Sequence, residues 1–167
     1  MRRVVFLDRD GILLDLGHEG SGKGTGGMVV PGAKAVLDSL KAAGFDLICV
    51  TNQPDIAKGT LRRDVTDRVH HALRRVLPLS NIIMCPHDKD ADCKCRKPKP
   101  GMLLSVKDVD YARSYMVGDR WSDVAAGEAA GCTTILVGTG YGELFPTTPQ
   151  WRAADLATAA QIILESA

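Results

Sequence analysis

Five polar side chains in this sequence have the types and positions that phosphoryl transfer requires. Asp8 and Asp10 follow a first apolar run, Thr51 follows a second, Lys97 lies in the segment after a third, and Asp119 follows a fourth. One carboxylate could attack phosphorus while its neighbour moves a proton, and the third could complete an oxygen-rich Mg2+ site. The threonine and the lysine could hold the phosphoryl oxygens. Each aspartate alone would be an ordinary turn or cap residue, so it is the set that indicates phosphoryl transfer.

The apolar runs alternate with helical patterns, which is typical of a parallel sheet covered by helices on both faces. Buried strands are predicted at residues 4–7, 45–50, 81–84, 115–117 and 134–137. Helices are predicted at residues 33–44, 61–77, 123–130 and 153–165. The sequence therefore predicts one Rossmann-like α/β domain over residues 1–167. Such sheets place their sites at the carboxyl ends of the strands, where the five polar residues stand.

Four motifs, in this order, resemble those of the haloacid-dehalogenase (HAD) phosphatase superfamily. They are FLDRDGI at residues 6–12, VTNQ at 50–53, CRKPKPGM at 95–102 and VGDRWSD at 117–123. Their order and separations agree over roughly residues 3–140. The resemblance implies a Mg2+-dependent phosphatase that works through an aspartyl-phosphate. The segment between the first motif and the next helix is too short for a separate cap domain.

The resemblance also implies a role for each matched position. Asp8 would be the nucleophile and a Mg2+ ligand. Asp10 would protonate the leaving oxygen, then activate water, and would bind Mg2+ through its main-chain carbonyl. Asp119 would bind Mg2+, and Asp123 would support that site. The positions that would bind phosphate or substrate are Thr51, Asn52, Gln53, Arg96, Lys97 and Arg120.

Within the superfamily, the motifs resemble the phosphatases of heptose bisphosphates and, nearly as well, of histidinol phosphate. The first resemblance implies removal of the 7-phosphate of D-glycero-D-manno-heptose 1,7-bisphosphate, with histidinol phosphate or another small sugar phosphate as alternatives. Two segments depart from the heptose enzymes: Pro54 and Asp55 stand in place of the usual Ser-Gly, and residues 12–27 are glycine-rich. Both would line the substrate pocket, so the motifs specify phosphatase chemistry more closely than the sugar.

The segment between the third strand and Lys97 carries a set of metal-ligand residues. Three thiols and one imidazole follow the spacing C-x-H-x5-C-x-C, namely Cys85, His87, Cys93 and Cys95. Such a set is typical of structural Zn2+, and four protein ligands leave no open position for catalysis. The alternative is a group of chance surface thiols. Because Cys95 nearly adjoins Lys97, we expect zinc to fold this loop and position the lysine, as the family resemblance also implies.

Other cysteines and histidines receive simpler interpretations. Cys49 and Cys132 lie in or beside apolar strands and are predicted to be core residues. His70 and His71 lie on the helix predicted over 61–77 and are expected to face solvent.

The glycine-rich segment 17–25 (GHEGSGKGT) resembles the phosphate loop of P-loop proteins, in which backbone N–H groups and a lysine hold phosphate. A P-loop leads at once into a helix, whereas Lys23 is followed by three further glycines and no helix signal before Pro31. We therefore interpret the segment as a loop over the active site. His18 or Lys23 could contact a distal phosphate there, and nucleotide binding is the remote alternative.

The composition excludes several classes of protein. The chain has 167 residues, with 21 Lys and Arg against 20 Asp and Glu, which argues against a strongly basic nucleic-acid-binding protein. No apolar run approaches the roughly 20 residues of a membrane span, and acidic residues stand where a signal peptide would be apolar. We therefore expect a cytoplasmic, monomeric enzyme whose partner is a small phosphorylated sugar, and no binding to nucleic acid or membranes.

Overall fold

A computed structural model describes residues 1–17, 27–143 and 146–167 of the chain. In chain order the strands are β1 (Val4–Leu7), β2 (Leu14–Asp15), β3 (Met28–Val29), β4 (Asp46–Asn52), β5 (Asn81–Cys85), β6 (Tyr115–Gly118), β7 (Thr133–Val137) and β8 (Trp151–Ala153). The α-helices are α1 (Ala33–Ala42), α2 (Arg63–Val76), α3 (Gly101–Leu104), α4 (Trp121–Ala130) and α5 (Leu156–Ser166).

Six of the strands form one sheet in the order β5-β4-β1-β6-β7-β8. Every pairing in this sheet is parallel, so successive strands are joined by crossover connections. The strand β1 lies between β4 and β6. Asp8 follows β1, Thr51 and Asn52 end β4, and Asp119 follows β6, so these residues lie at the ends of neighbouring strands.

Alternate residues of β1 point to opposite faces of the sheet and divide the hydrophobic core into two layers. Val5 and Leu7 pack on one face with residues of α1, α2 and α5. Val4 and Phe6 pack on the other face with residues of α3 and α4. The predicted parallel sheet with helices on both faces is thus confirmed.

The predicted strands and helices are present, but several ends differ. The strand β4 continues through Thr51 and Asn52, which are its last residues rather than loop residues. The helix α4 begins at Trp121, before the predicted start, because the Asp123 carboxylate accepts a hydrogen bond from the Arg120 backbone N–H at 3.1 Å and caps the first turn. The last helix begins at Leu156, since the preceding residues pair with β7 as strand β8.

The short strands β2, β3 and β8 were not predicted from the sequence. The hairpin of β2 and β3 is the only regular structure between β1 and α1 in the described residues, and no cap domain is inserted there. The histidine and lysine of the glycine-rich segment, His18 and Lys23, lie outside the described residues. The first helix after that segment begins at Ala33, as predicted, whereas a P-loop would lead at once into a helix. Within the described ranges, no helix is long and apolar enough to cross a membrane.

Candidate active site

A cavity of about 540 Å³ lies at the carboxyl ends of the central strands. All residues predicted for phosphoryl transfer except Asp119 line it: Asp8, Asp10, Thr51, Asn52, Gln53, Arg96, Lys97, Arg120 and Asp123. The convergence follows from the parallel topology, since the three adjacent strands β1, β4 and β6 end at the same edge of the sheet.

The buried centre of this site is a cluster of three carboxylates, Asp8, Asp119 and Asp123, which we call the oxygen cluster. Their ligand atoms lie within 4.8 Å of one another, and all three residues are buried. Asp8 and Asp119 were predicted to be ligands and Asp123 a supporting residue, and the structure brings all three side chains together. The group could hold a metal ion that prefers oxygen ligands.

Lys97 supplies the cluster's positive charge. Its Nζ donates to Asp8 Oδ1 at 2.8 Å, to Asp123 Oδ1 at 2.7 Å and to the Val50 carbonyl at 2.8 Å. The ammonium has only three N–H groups, so all of its donors are engaged. Lys97 is itself only 3% exposed, which makes this a fully buried ion-pair network.

The electrostatics of the oxygen cluster favour a bound cation. Burial and then the Asp123 charge raise the pKa of Asp8, and Lys97 offsets this only in part. Burial also raises the pKa of Asp119, against the opposing effect of the Tyr141 hydroxyl. Burial alone would lower the pKa of Lys97, but Asp123 and Asp8 outweigh it and raise that pKa. Three carboxylates around one ammonium leave an excess of negative charge, which a divalent cation would neutralise.

Asp119 provides a direct test of whether the site fits such a cation. Its Oδ2 accepts a hydrogen bond from the Tyr141 hydroxyl, while its Oδ1 is buried and finds no hydrogen-bond partner in the described part of the chain. A buried carboxylate oxygen without a partner is costly, and a metal ion would satisfy it. Gly11 allows this close packing: it has a φ of +88°, and a Cβ there would lie 2.0 Å from Asp119 Oδ2.

The Asp10 side chain belongs to a different network at the edge of the cavity. Its carboxylate accepts two hydrogen bonds from the Arg9 guanidinium, at 2.7 and 3.1 Å, and one from Gln53 Nε2 at 3.1 Å. The same Gln53 nitrogen donates to Thr51 Oγ1 at 3.0 Å. The carboxylate of Asp10 therefore stands outside the oxygen cluster, and only its main-chain carbonyl was predicted to bind metal.

Asn52 links the end of β4 to the loop that carries the lysine. Its Nδ2 donates to the Lys97 carbonyl at 3.0 Å, and its Oδ1 accepts from the Lys97 N–H at 3.1 Å. This paired contact fixes the backbone of Lys97 beside the strand end. Asn52 thus has a structural contact in addition to its place on the cavity wall.

Two arginines give the cavity wall positive charge. Arg96 NH1 is buried and has no hydrogen-bond partner among the residues described, so it could hold an anion. Arg120 pairs with Glu143 at 2.5 Å and stacks on the Tyr141 ring, with its Cζ 4.6 Å from the ring centroid. Tyr141 and Glu143 lie in the segment after β7, and neither was predicted from the sequence. Their position after the end of a strand is the signal that could have indicated them, since the same signal indicated Asp8, Thr51 and Asp119.

A second cluster lies at the end of β5 and in the loop that follows it, and we call it the sulfur cluster: Cys85, His87, Cys93 and Cys95. The ligand atoms of all four residues lie within 4.8 Å of one another and could hold a metal ion. The thiol of Cys85 lies 3.0 Å from that of Cys95, and all five cysteines of the chain are free. Burial acts to raise the pKa of Cys93, but hydrogen bonds from the Arg96 backbone and the neighbouring thiols lower it to about 6, which favours the thiolate.

Cys49 and Cys132 are buried in the core, as predicted. His71 is exposed to solvent, as predicted. The prediction that His70 also faces solvent is wrong. His70 is half-buried, and its Nε2 lies 3.1 Å from Arg9 NH1. Arg9 is fully buried and was also missed, since its partners cannot be read from spacing in the sequence.

Several known proteins are similar to this chain in sequence and in architecture. Residues 94–161 match the HAD-hydrolase-like family. The D-glycero-beta-D-manno-heptose-1,7-bisphosphate 7-phosphatase of Pasteurella multocida (strain Pm70) is 39% identical over 155 residues, covering 84% of each protein. The enzyme of the same name from Escherichia coli (strain K12) is 37% identical over 163 residues, covering 88% of this chain and 83% of that protein.

A solved structure gives the same result for the fold. The D,D-heptose 1,7-bisphosphate phosphatase of B. bronchiseptica, complexed with magnesium and phosphate, superposes with a TM-score of 0.84 over 99% of both chains, at 31% identity. Likeness of this extent in both sequence and architecture is that of one protein family. The chain therefore belongs to the heptose-1,7-bisphosphate 7-phosphatase family of HAD-like hydrolases.

Proposed function

We propose that this protein is a Mg2+-dependent phosphatase that removes the 7-phosphate of D-glycero-beta-D-manno-heptose 1,7-bisphosphate through an aspartyl-phosphate. The observation that carries the proposal is the buried oxygen cluster with Lys97 at the end of the central strands, facing a cavity. The substrate is inferred from relatives of that name at up to 39% identity. Three aspartates and a lysine buried together serve no evident packing purpose, whereas phosphoryl transfer requires them.

In the first step, an oxygen of Asp8 attacks phosphorus, and the bond from phosphorus to the sugar oxygen breaks. Asp10 donates its proton to that leaving oxygen. In the second step, Asp10 takes a proton from water, and the resulting nucleophile attacks phosphorus of the aspartyl-phosphate. Inorganic phosphate leaves, and the Asp8 carboxylate is restored. Asp10 suits the proton-transfer role because its carboxylate lies at the cavity edge, outside the oxygen cluster.

Asp8, Asp119 and the main-chain carbonyl of Asp10 would hold Mg2+, with Asp123 in support. Bound there, Mg2+ would supply positive charge that offsets the charge of the phosphoryl group and of the carboxylates. Two observations support this assignment: Asp119 Oδ1 has no hydrogen-bond partner among residues 1–17, 27–143 and 146–167, and the cluster has an excess of negative charge.

The phosphoryl oxygens would be bound by Lys97, Thr51 and Arg96. Thr51 Oγ1 accepts from Gln53, so its own hydrogen is free to donate to phosphate. Lys97 has all donors engaged, and its hydrogen bond to Asp8 is the one that phosphorylation of Asp8 would release. Arg120 would contact the substrate at the outer wall, and Asn52 and Gln53 would shape the inner wall.

The metal of the sulfur cluster is proposed to be structural Zn2+. Three thiolates and one imidazole are a common zinc set, and all four positions are filled by the protein. The loop that carries them leads directly into Arg96 and Lys97, so zinc would order both. Five free thiols also fit the reducing conditions of the cytoplasm.

Histidinol phosphate is the second candidate substrate. The observation in its favour is Asp55, whose carboxylate lines the cavity at the position where the heptose enzymes usually have glycine. An acid there favours a cationic amine over a second phosphate, although Lys58 Nζ lies 3.6 Å from it and offsets its charge.

A panel of substrates tests the proposal. The purified enzyme is assayed with the α and β anomers of heptose 1,7-bisphosphate, with fructose 1,6-bisphosphate and with histidinol phosphate. The β anomer should give the highest kcat/KM and lose its 7-phosphate, as identified by 31P NMR. A higher kcat/KM for histidinol phosphate would overturn the substrate assignment. The Asp8→Asn variant, prepared in parallel, measures any contaminating phosphatase.

A further inference from the structure

Arg9 stands between the two aspartates of the first motif, and its side chain is fully buried. Arginine is almost never buried in this way unless its donors are paired. Here Nε and NH2 form a two-pronged contact with the Asp10 carboxylate, at 2.7 and 3.1 Å. A contact of this kind fixes the plane of a carboxylate as well as its distance. Arg9 therefore determines where the oxygens of Asp10 point.

The third contact of this guanidinium is with a helix on one face of the sheet. Arg9 NH1 lies 3.1 Å from Nε2 of His70, which belongs to α2. Arginine has only donors, so this ring nitrogen must be the acceptor. His70 is therefore neutral and carries its hydrogen on Nδ1.

The surroundings of His70 agree with a neutral ring. It lies one turn from the buried residues Thr66 and Leu73, on the inward side of α2. Burial and the Arg9 charge lower the pKa of His70 to about 4, against the opposing charges of Asp67 and Asp10. The exposed neighbour, His71, has no such environment.

From these contacts we infer that His70 is a positioning residue for proton transfer, which it controls by holding Arg9 and, through Arg9, the carboxylate of Asp10. The inference rests on the proposed function, in which Asp10 protonates the leaving oxygen. Gln53, the residue after β4, holds the same carboxylate, so Asp10 is fixed from two sides. Without the His70 acceptor, the guanidinium has a buried N–H group to satisfy and can turn away from Asp10.

The consequence is that removal of His70 should lower the activity by a factor that depends on the leaving group of the substrate. A sugar alkoxide must be protonated as it leaves, whereas 4-nitrophenolate leaves without a proton. His70→Leu should therefore lower kcat/KM for the sugar phosphate more than kcat/KM for 4-nitrophenyl phosphate, and the ratio of the two values should fall by about tenfold or more. The comparison uses kcat/KM because it reports the first step alone, whereas kcat also includes hydrolysis of the aspartyl-phosphate, in which Asp10 acts on both substrates alike. Substrate binding itself should change little, because His70 does not line the cavity.

Three variants of the full-length enzyme test the inference, with thermal unfolding as a check on folding. His70→Leu removes the acceptor, His70→Gln retains an amide oxygen that can accept, and His71→Leu is the matched control. We expect the ratio to fall in His70→Leu, to recover largely in His70→Gln and to equal the wild-type value in His71→Leu. Equal losses on both substrates, or no recovery in His70→Gln, would mean that His70 has only a structural role.

A second measurement does not depend on activity. NMR of the imidazole nitrogens in the wild-type enzyme should find His70 neutral at pH 7, with its proton on Nδ1. A charged ring, or a proton on Nε2, would overturn the inference even if the enzyme acts as proposed. If the wild type fails to hydrolyse heptose bisphosphate, the substrate proposal fails instead, and the ratio is then measured with the alkyl phosphate that the enzyme hydrolyses best.

Discussion

The oxygen cluster and the sulfur cluster adjoin the same short segment, residues 95–97, but differ in depth and ligand type. All three residues of the oxygen cluster are buried, and two of them, Asp8 and Asp123, line the cavity. In the sulfur cluster Cys85 is buried, Cys93 and Cys95 are partly exposed, and His87 is exposed. One is built of hard oxygens that suit Mg2+, and the other of thiols and an imidazole that suit Zn2+.

The difference lies in how each cluster is completed. The four side chains of the sulfur cluster would fill the coordination shell of a tetrahedral metal, so a metal bound there would have no position left for substrate. The oxygen cluster has a carboxylate oxygen without a hydrogen-bond partner among the described residues, and an excess of negative charge beside an open cavity. We therefore expect the first to stabilise the loop and the second to perform the chemistry.

The largest effect is expected from Asp8→Asn. The amide cannot attack phosphorus, so kcat should fall by about 10⁴-fold or more. Zinc content, measured by atomic absorption, should stay at the wild-type value because the sulfur cluster is untouched. Loss of zinc together with activity would mean that the two clusters are not independent.

Lys97→Met should have the next largest effect. It removes the ammonium that, in the described part of the chain, contacts the oxygen cluster, and kcat should fall by about 10²- to 10³-fold. In Mg2+-free buffer the free energy of unfolding should decrease by about 3 kcal/mol, because the buried carboxylates lose their partner. Urea denaturation measures this change.

Lys99→Met is the matched control for that variant. Lys99 pairs with Asp92 at 3.0 Å, but both side chains are well exposed. Loss of this exposed pair should therefore lower the free energy of unfolding by less than about 1 kcal/mol. Similar losses in the two variants would contradict the contrast between a buried and an exposed pair.

Cys93→Ser tests the sulfur cluster. Zinc stoichiometry should fall well below that of the wild type, and kcat/KM should fall by up to about 10²-fold because Arg96 and Lys97 are less well positioned. Cys132→Ala, a core cysteine outside the cluster, should retain zinc. Unchanged zinc in Cys93→Ser would exclude this residue as a ligand.

The smallest effect is expected from Gly11→Ala. The added Cβ would contact Asp119 Oδ2, so Mg2+ affinity, measured by calorimetry, should decrease by about 10- to 100-fold with zinc content unchanged. Gly59→Ala is the control, since Gly59 also has a positive φ, +74°, but apart from its chain neighbours no described residue has an atom within 4 Å of the added carbon. Equal effects in both variants would attribute the loss to backbone strain alone.

The fold and the two clusters could be predicted because each depends on local patterns. Asp8, Thr51 and Asp119 close buried apolar runs, and parallel topology brings such strand ends together. The spacing of Cys85, His87, Cys93 and Cys95 is likewise a local signal. By contrast, the three-residue strand β8 and the hairpin of β2 and β3 have too few residues to show a period.

The network behind Asp10 could not be predicted for a different reason. Arg9 and His70 are 61 positions apart, and their contact depends on how α2 packs against the sheet. The strongly polar surface of α2 suggested that both histidines face solvent, and tertiary packing placed only one of them there. Side-chain hydrogen bonds between distant elements leave no periodic trace in the sequence.

Trapping of the covalent intermediate tests the central claim most directly. The enzyme is mixed with Mg2+ and heptose bisphosphate, quenched in acid during turnover and treated with borohydride, which reduces an acyl phosphate to an alcohol. Mass spectrometry of the peptides should find homoserine at position 8 and aspartate at positions 10, 119 and 123. An unmodified Asp8 in enzyme quenched during active turnover, or homoserine at another aspartate, would contradict the role of Asp8 as the nucleophile.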